Sequence, residues 1–115
     1  MKVIGDAELD DKFFERADAH IHLSNDQTNQ AGIGKVSASM MYATARFNSW
    51  ISACGFMKGS EMEEARAETI DYFVEQFRLM LEDNLDDYVR NFDKYMATTG
   101  GQDDPGKTRR ELFDR

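Results

Sequence analysis

Residues 35–52 read KVSASMMYATARFNSWIS, and the way this stretch divides between two sides of a helix decides the fold. At 100° per residue, Val36, Met40, Ala43, Phe47, Trp50 and Ile51 gather on one side. Ala38, Ala45, Ser49 and Ser52 fall on the other, flanked by Met41 and Tyr42. Neither side carries the charge of a solvated face. A bulky stripe backed by a stripe of small residues suits a rod wedged between two neighbours, because small side chains let a second backbone approach closely. The sequence thus predicts an all-α fold, a small three- to four-helix bundle with a central second helix spanning about Lys35 to Cys54.

The boundaries around this rod follow from turn and capping chemistry. Gly55 supplies the left-handed residue that often follows a last helical turn, and Phe56 the apolar residue that folds back on it. Upstream, Asp10 can cap a first helix whose stripe runs through Phe13, Phe14, Ala17 and Ile21 and fails around Ser24 to Thr28. Residues 28–34, polar and bearing two glycines, form the intervening loop. Downstream, Ser60 with Glu63 matches a capping box, so a third helix begins near Glu61. Its apolar phase holds from Met62 through Phe77 and Leu81 to Tyr95. An unbroken helix over residues 61–97 would be about 55 Å long, more than so small a domain can cover. A break is expected at Asp83-Asn84, whose side chains compete with the backbone for hydrogen bonds. On this reading residues 1–9 are a flexible N-terminus, residues 10–97 the helical domain, and residues 98–115, with three glycines and Pro105, a flexible, disordered C-terminal tail.

Composition narrows the function classes. The chain of 115 residues is 41% hydrophobic and 31% charged, a globular balance for one domain. No apolar run approaches the eighteen or so residues of a membrane helix, and the N-terminus lacks the apolar segment of a signal peptide, which makes a cytoplasmic location the expectation. The net charge of −8 is concentrated in residues 61–87, where ten acids face two bases. Phosphates and anionic lipid are repelled there and no basic patch offsets it, so neither nucleic acid nor membrane is an expected partner. The single cysteine, Cys54, reads as a small apolar residue near a helix end.

Candidate sites are few. Arg46 is the sole charge well inside the second helix and is expected to meet Asp71 or Glu75 if the third helix packs alongside. Asn48 sits at the edge between the two sides, and Tyr42 flanks the small one. On the third helix Tyr72 and Leu79 lie opposite the main stripe, so either the 85–97 segment or another copy of the protein covers them. His20 and His22, two residues apart, point about 200° away from each other on a helix and cannot share one ion. Glu64, Glu68, Asp71 and Glu75 form a carboxylate stripe resembling that which holds Mg²⁺ in all-helical nucleotide pyrophosphohydrolases. Glu68-x-x-Asp71 fits the second motif of those enzymes, while the second helix offers no acid for the first. No phosphate loop, nucleophile elbow or cysteine–histidine pairing is present, and no cofactor is implied. RRELF at 109–113 reads as a terminal helical turn.

FFERADAHIHLSN at 13–25, GKVSASMMYATARFN at 34–48 and DYFVEQFRLMLEDNLDDYVRNFDKYM at 71–96 together resemble the domain of unknown function 3144 family. The resemblance covers nearly all of residues 10–96. It implies an all-helical cytoplasmic bacterial protein and supplies no activity, cofactor or catalytic residue. The leading functional reading is a non-enzymatic module that contacts protein, either a partner or itself as a homodimer, through Tyr42, Arg46, Asn48, Tyr72 and Leu79. The alternative is a Mg²⁺-dependent nucleotide pyrophosphohydrolase using Glu64, Glu68, Asp71 and Glu75.

Overall fold

The computed structural model describes residues 10–97 and the backbone of four residues before them. The expected tail over 98–115, with its RRELF turn, lies outside the described residues, as do the side chains of the expected flexible N-terminus over 1–9. The fold is all-α. Five helices follow one another: α1 (Phe13–Gln27), α2 (Ile33–Ala53), α3 (Gly59–Glu64), α4 (Arg66–Arg90) and α5 (Phe92–Ala97). Ahead of them β1 (Val3–Ile4) and β2 (Ala7–Glu8) form a two-residue antiparallel pairing, Val3 opposite Glu8 and Ile4 opposite Ala7, and β1 lies against α4.

Local chemistry explains most of the helix ends. Asp10 acts just ahead of α1: its carboxylate accepts from the Lys12 backbone N–H at 2.9 Å, its carbonyl accepts from the Phe13 N–H, and both carboxylate oxygens lie 3.1 Å from Arg16. The second helix closes differently from expectation. Gly55 does not adopt the left-handed conformation; the Gly55 and Phe56 N–H groups donate to Ser52 and Ala53 carbonyls three residues back, tightening the last turn instead. At the start of α3 the capping serine is bypassed. The helix begins two residues earlier than expected, and Glu61 reaches back to accept from the Met57 N–H at 2.9 Å. The acid stands at the third helical position, as in a capping box, but its partner lies one residue ahead of the cap residue Lys58.

The break expected at Asp83-Asn84 is absent, and the chain bends at two other places. Ala65, at φ −91° and ψ 1°, separates α3 from α4, and Asn91, at φ −117° and ψ 29°, separates α4 from α5. Asn84 stays helical because its side-chain amide donates to the Met80 carbonyl one turn back at 2.8 Å, which removes its competition with the helix. The α4 rod of 25 residues therefore runs about 37 Å unbroken.

Little of the apolar surface is covered. Among the described residues only Ile33, Val36 and Gln76 are buried. Ile33 and Val36 stand in the first turn of α2; α1 lies against this helix and reaches as far as Met40, whose sulfur accepts from the Ser24 hydroxyl at 3.4 Å. Beyond Met40 the same α2 stripe is open, with Phe47 59% and Trp50 62% exposed. On α4, Ile70, Val74, Phe77, Leu81 and Leu85 recur at steps of four, three, four and four, a single helical face, and all five are exposed. The better-covered side of α4 carries Thr69, Phe73, Gln76 and Met80.

The second helix is thus not central within one chain. Ala38, Ala45 and Ser49, expected beneath a neighbour, are exposed, and α2 and α4 do not pack along each other. The physical reason lies in the connection. The short α3 meets the end of α2, and the bend at Ala65 then sends α4 away instead of back along it. With those residues exposed, the assignment of α2's cover to helices of the same chain is overturned, and with it the reading that derived a contact surface from an interior rod.

Candidate functional site

A groove of about 670 Å³ runs along the second half of α2, walled at one end by Met62 of α3. Tyr42, Ala43, Arg46, Phe47, Ser49, Trp50 and Ala53 line it, side chains spread over about three helical turns. Phe47 and Trp50 stack at its edge with ring centroids 5.7 Å apart. The groove is open and mostly apolar, and the guanidinium of Arg46 is its one charge.

Three hydroxyls on α2 bond back to the helix itself. Thr44, Ser49 and Ser52 donate to the Met40, Ala45 and Asn48 carbonyls at 2.9, 2.8 and 3.0 Å, each one turn back. With these donors satisfied, the small-residue side presents methylenes and methyls outward, a surface that costs little to dry.

Of the five expected contact residues, Tyr42 and Arg46 share this groove, and Asn48, half-buried, stands on the same helix outside it. Tyr72 and Leu79 are carried away on α4, where Tyr72 meets Phe73 edge to face at 5.1 Å and Leu79 is half-buried. The expected pairing of Arg46 with Asp71 or Glu75 is not made. Glu75 lies 3.5 Å from Arg78 of its own helix, and among the described residues Arg46 has no ion-pair partner. Sequence reasoning missed Trp50 as a groove residue and the open α4 stripe, since both read as core. The signal that marked them was the excess of apolar faces over the helices available to cover them.

The low-ranked metal set does not assemble. Glu64, Glu68, Asp71 and Glu75 are all exposed, and among the described residues no three His, Cys, Asp or Glu side chains stand close enough to hold an ion. His20 and His22 are both exposed on α1, which has no buried residue. Cys54, exposed, follows the last residue of α2.

Two titrating groups are perturbed outside the groove. Arg16 beside Asp10, with help from the Lys12 N–H, holds that carboxyl below the ordinary carboxylate value. Asp87, accepting from the Tyr95 hydroxyl, pushes that phenol above its ordinary value.

The class these features define is a small all-helical protein with open apolar faces, in which no described helix is long and apolar enough to cross a membrane. The chain belongs to the family described as protein of unknown function DUF3144, whose model matches residues 13–89. No curated protein and no solved structure matches it.

Proposed function

We propose that this protein is a non-enzymatic interaction module that works by self-association, most simply as a homodimer. The observation carrying this reading is the mismatch between apolar faces and cover: among the described residues, α2 beyond Met40 meets only the short α3 at its end, and the Ile70-to-Leu85 stripe of α4 is exposed. Exposed apolar patches of more than a few hundred Å² on a small protein mark contact surfaces. One expected source of cover is excluded by the architecture, since residues 85–90 are the end of α4 itself and α5 only continues from it. A folded chain also needs a core, and the two buried aliphatic side chains among the described residues supply too little burial to offset the entropy of ordering the helices.

Light scattering on the purified protein tests this, with the emission of Trp50, the single tryptophan, followed over a dilution series. A dimer mass, with emission moving to shorter wavelength as concentration rises, is the expected result. A monomer at high concentration that still unfolds cooperatively removes the proposal.

A further inference from the structure

Taking self-association as given, we infer that the surface covering α2 is α4 of a second copy, each copy giving one helix and receiving the other about a twofold axis. In this arrangement Arg46 meets the acidic flank of the partner's α4.

Charge selects this pairing over the alternatives. Helix α2 carries Lys35 and Arg46 and no acid, whereas α4 carries seven acids and three bases. Two α4 helices set face to face would oppose a charge of −4 to another −4, and two α2 helices would oppose +2 to +2; α2 on α4 opposes +2 to −4. Like charges across an interface cost several kcal/mol and opposite ones direct the register.

Placement on the helices agrees. Drawn at 100° per residue, Lys35 and Arg46 fall about 100° to one side of the α2 stripe, and Asp71, Glu75 and Glu82 a similar angle from the α4 stripe in the opposite sense, with Arg78, 3.5 Å from Glu75, on that flank nearer the stripe. Lys35 and Arg46 are eleven residues apart, as are Asp71 and Glu82, so each pair spans roughly 16 Å along its helix. With the two helices parallel, Lys35 level with Asp71 and Arg46 with Glu82, basic flank meets the acids while the stripes meet between them, the arrangement by which flanking charges set partner choice in helix pairs.

The area is sufficient. An aromatic side chain offers about 150–250 Å², and with Phe47, Trp50 and Phe77 all more than half exposed beside open aliphatics, the two faces leave on the order of 1,000 Å² per copy, above the roughly 800 Å² per partner of a stable interface. A twofold exchange buries both faces of both copies at once and leaves no open end for further addition.

Two measurements decide the matter. In a Cys54→Ser background, Ala43→Cys and Leu81→Cys, which the parallel register places nearly level, are made separately. Oxidation of the mixture is expected to give a crosslinked dimer containing one of each, and Leu81→Cys alone to give none. A crosslink in Leu81→Cys alone, or none in the mixture while light scattering reports a dimer, overturns the α2-on-α4 pairing and leaves self-association standing. A wild-type monomer overturns both. Arg46→Glu, an exposed change whose folding is checked by circular dichroism, is expected to weaken the dimer by about tenfold or more. Adding Asp71→Lys and Glu82→Lys to it is expected to recover most of that loss. An unchanged dimer constant in Arg46→Glu contradicts the charge pairing.

Discussion

The Tyr95 hydroxyl donates to Asp87 Oδ2 at 2.9 Å across the bend at Asn91, and the Tyr95 ring lies 4.6 Å from that of Tyr88. Asp87 holds the bend from both sides, because its other carboxylate oxygen accepts from the Asn91 amide at 2.9 Å. One side chain thereby closes α4 and docks α5.

This clamp sets a pH dependence. The Tyr95 pKa is raised in the folded chain, first by donating to Asp87, then by partial desolvation and the nearby negative charge. A raised folded pKa means the contribution is complete below the unfolded phenol value and is lost as pH climbs through the folded one. Docking of α5 should therefore fail above the ordinary tyrosine range. Absorbance titration should show a phenol ionising late in the wild-type protein and earlier in Asp87→Asn. Amide exchange should show Phe92–Ala97 losing protection in Tyr95→Phe while α2 keeps its own.

Cover by α1 over the first turns of α2 predicts where truncation hurts. Ile33 is 7% exposed and Met57 93% exposed, so the same loss of apolar atoms should have opposite weight at the two sites. Ile33→Ala should cost about 2–4 kcal/mol in denaturant unfolding, from lost transfer energy plus the cavity left behind. Met57→Ala should change stability by less than about 0.5 kcal/mol. Equal effects would mean that α1 does not sit on α2 in solution.

The start of α1 behaves as an acid-sensitive cap. Asp10 has a lowered pKa because Arg16 and the Lys12 N–H favour its charged form, so its contribution is present above the unfolded carboxyl value and is lost as pH falls through the folded one. Both partners are largely exposed, and salt screens such a pair. The first turn of α1 should fray on acidification, visible as loss of amide protection at Phe13 and Arg16, and Asp10→Asn should show the same fraying at neutral pH. High salt should reproduce part of it.

How much of this was legible in the sequence depends on the range of the forces involved. Helix identity came from the 3.6-residue phase of residues such as Met40, Phe47 and Trp50, which acts within one helix, so the all-α class and the gap between α1 and α2 could be read directly. The left-handed Gly55 and the Ser60 cap were misread because two closures competed over a few residues: three-residue-back bonds in one case, and Glu61 reaching to Met57 in the other. Helix-to-helix cover was the least legible. Phe77 and Trp50 look the same in sequence whether their cover is intrachain or a second subunit, since both bury the same apolar atoms. Arg46 is the sole charge well inside α2, and the acids expected beside it, Asp71 and Glu75, stand on a helix that does not pack along α2.

Asn84 offers a test in which the sign of the effect discriminates. Were Asp83-Asn84 the helix break that the sequence suggests, Asn84 would serve as a cap, and Asn84→Ala would cost about 1 kcal/mol. In the structure Asn84 lies inside α4 with its amide donating back to the Met80 carbonyl at 2.8 Å, on an exposed face. Such a bond only offsets the tendency of asparagine to leave the helix, and alanine removes that tendency altogether. Asn84→Ala should therefore stabilise the protein by about 0.5 kcal/mol, with the carbonyl of Met80 still accepting its backbone bond from the residue one turn on. Thermal unfolding gives the sign, and residual dipolar couplings along Arg66–Arg90 give the companion observation: one straight axis through Asn84, with the change of direction reserved for Asn91.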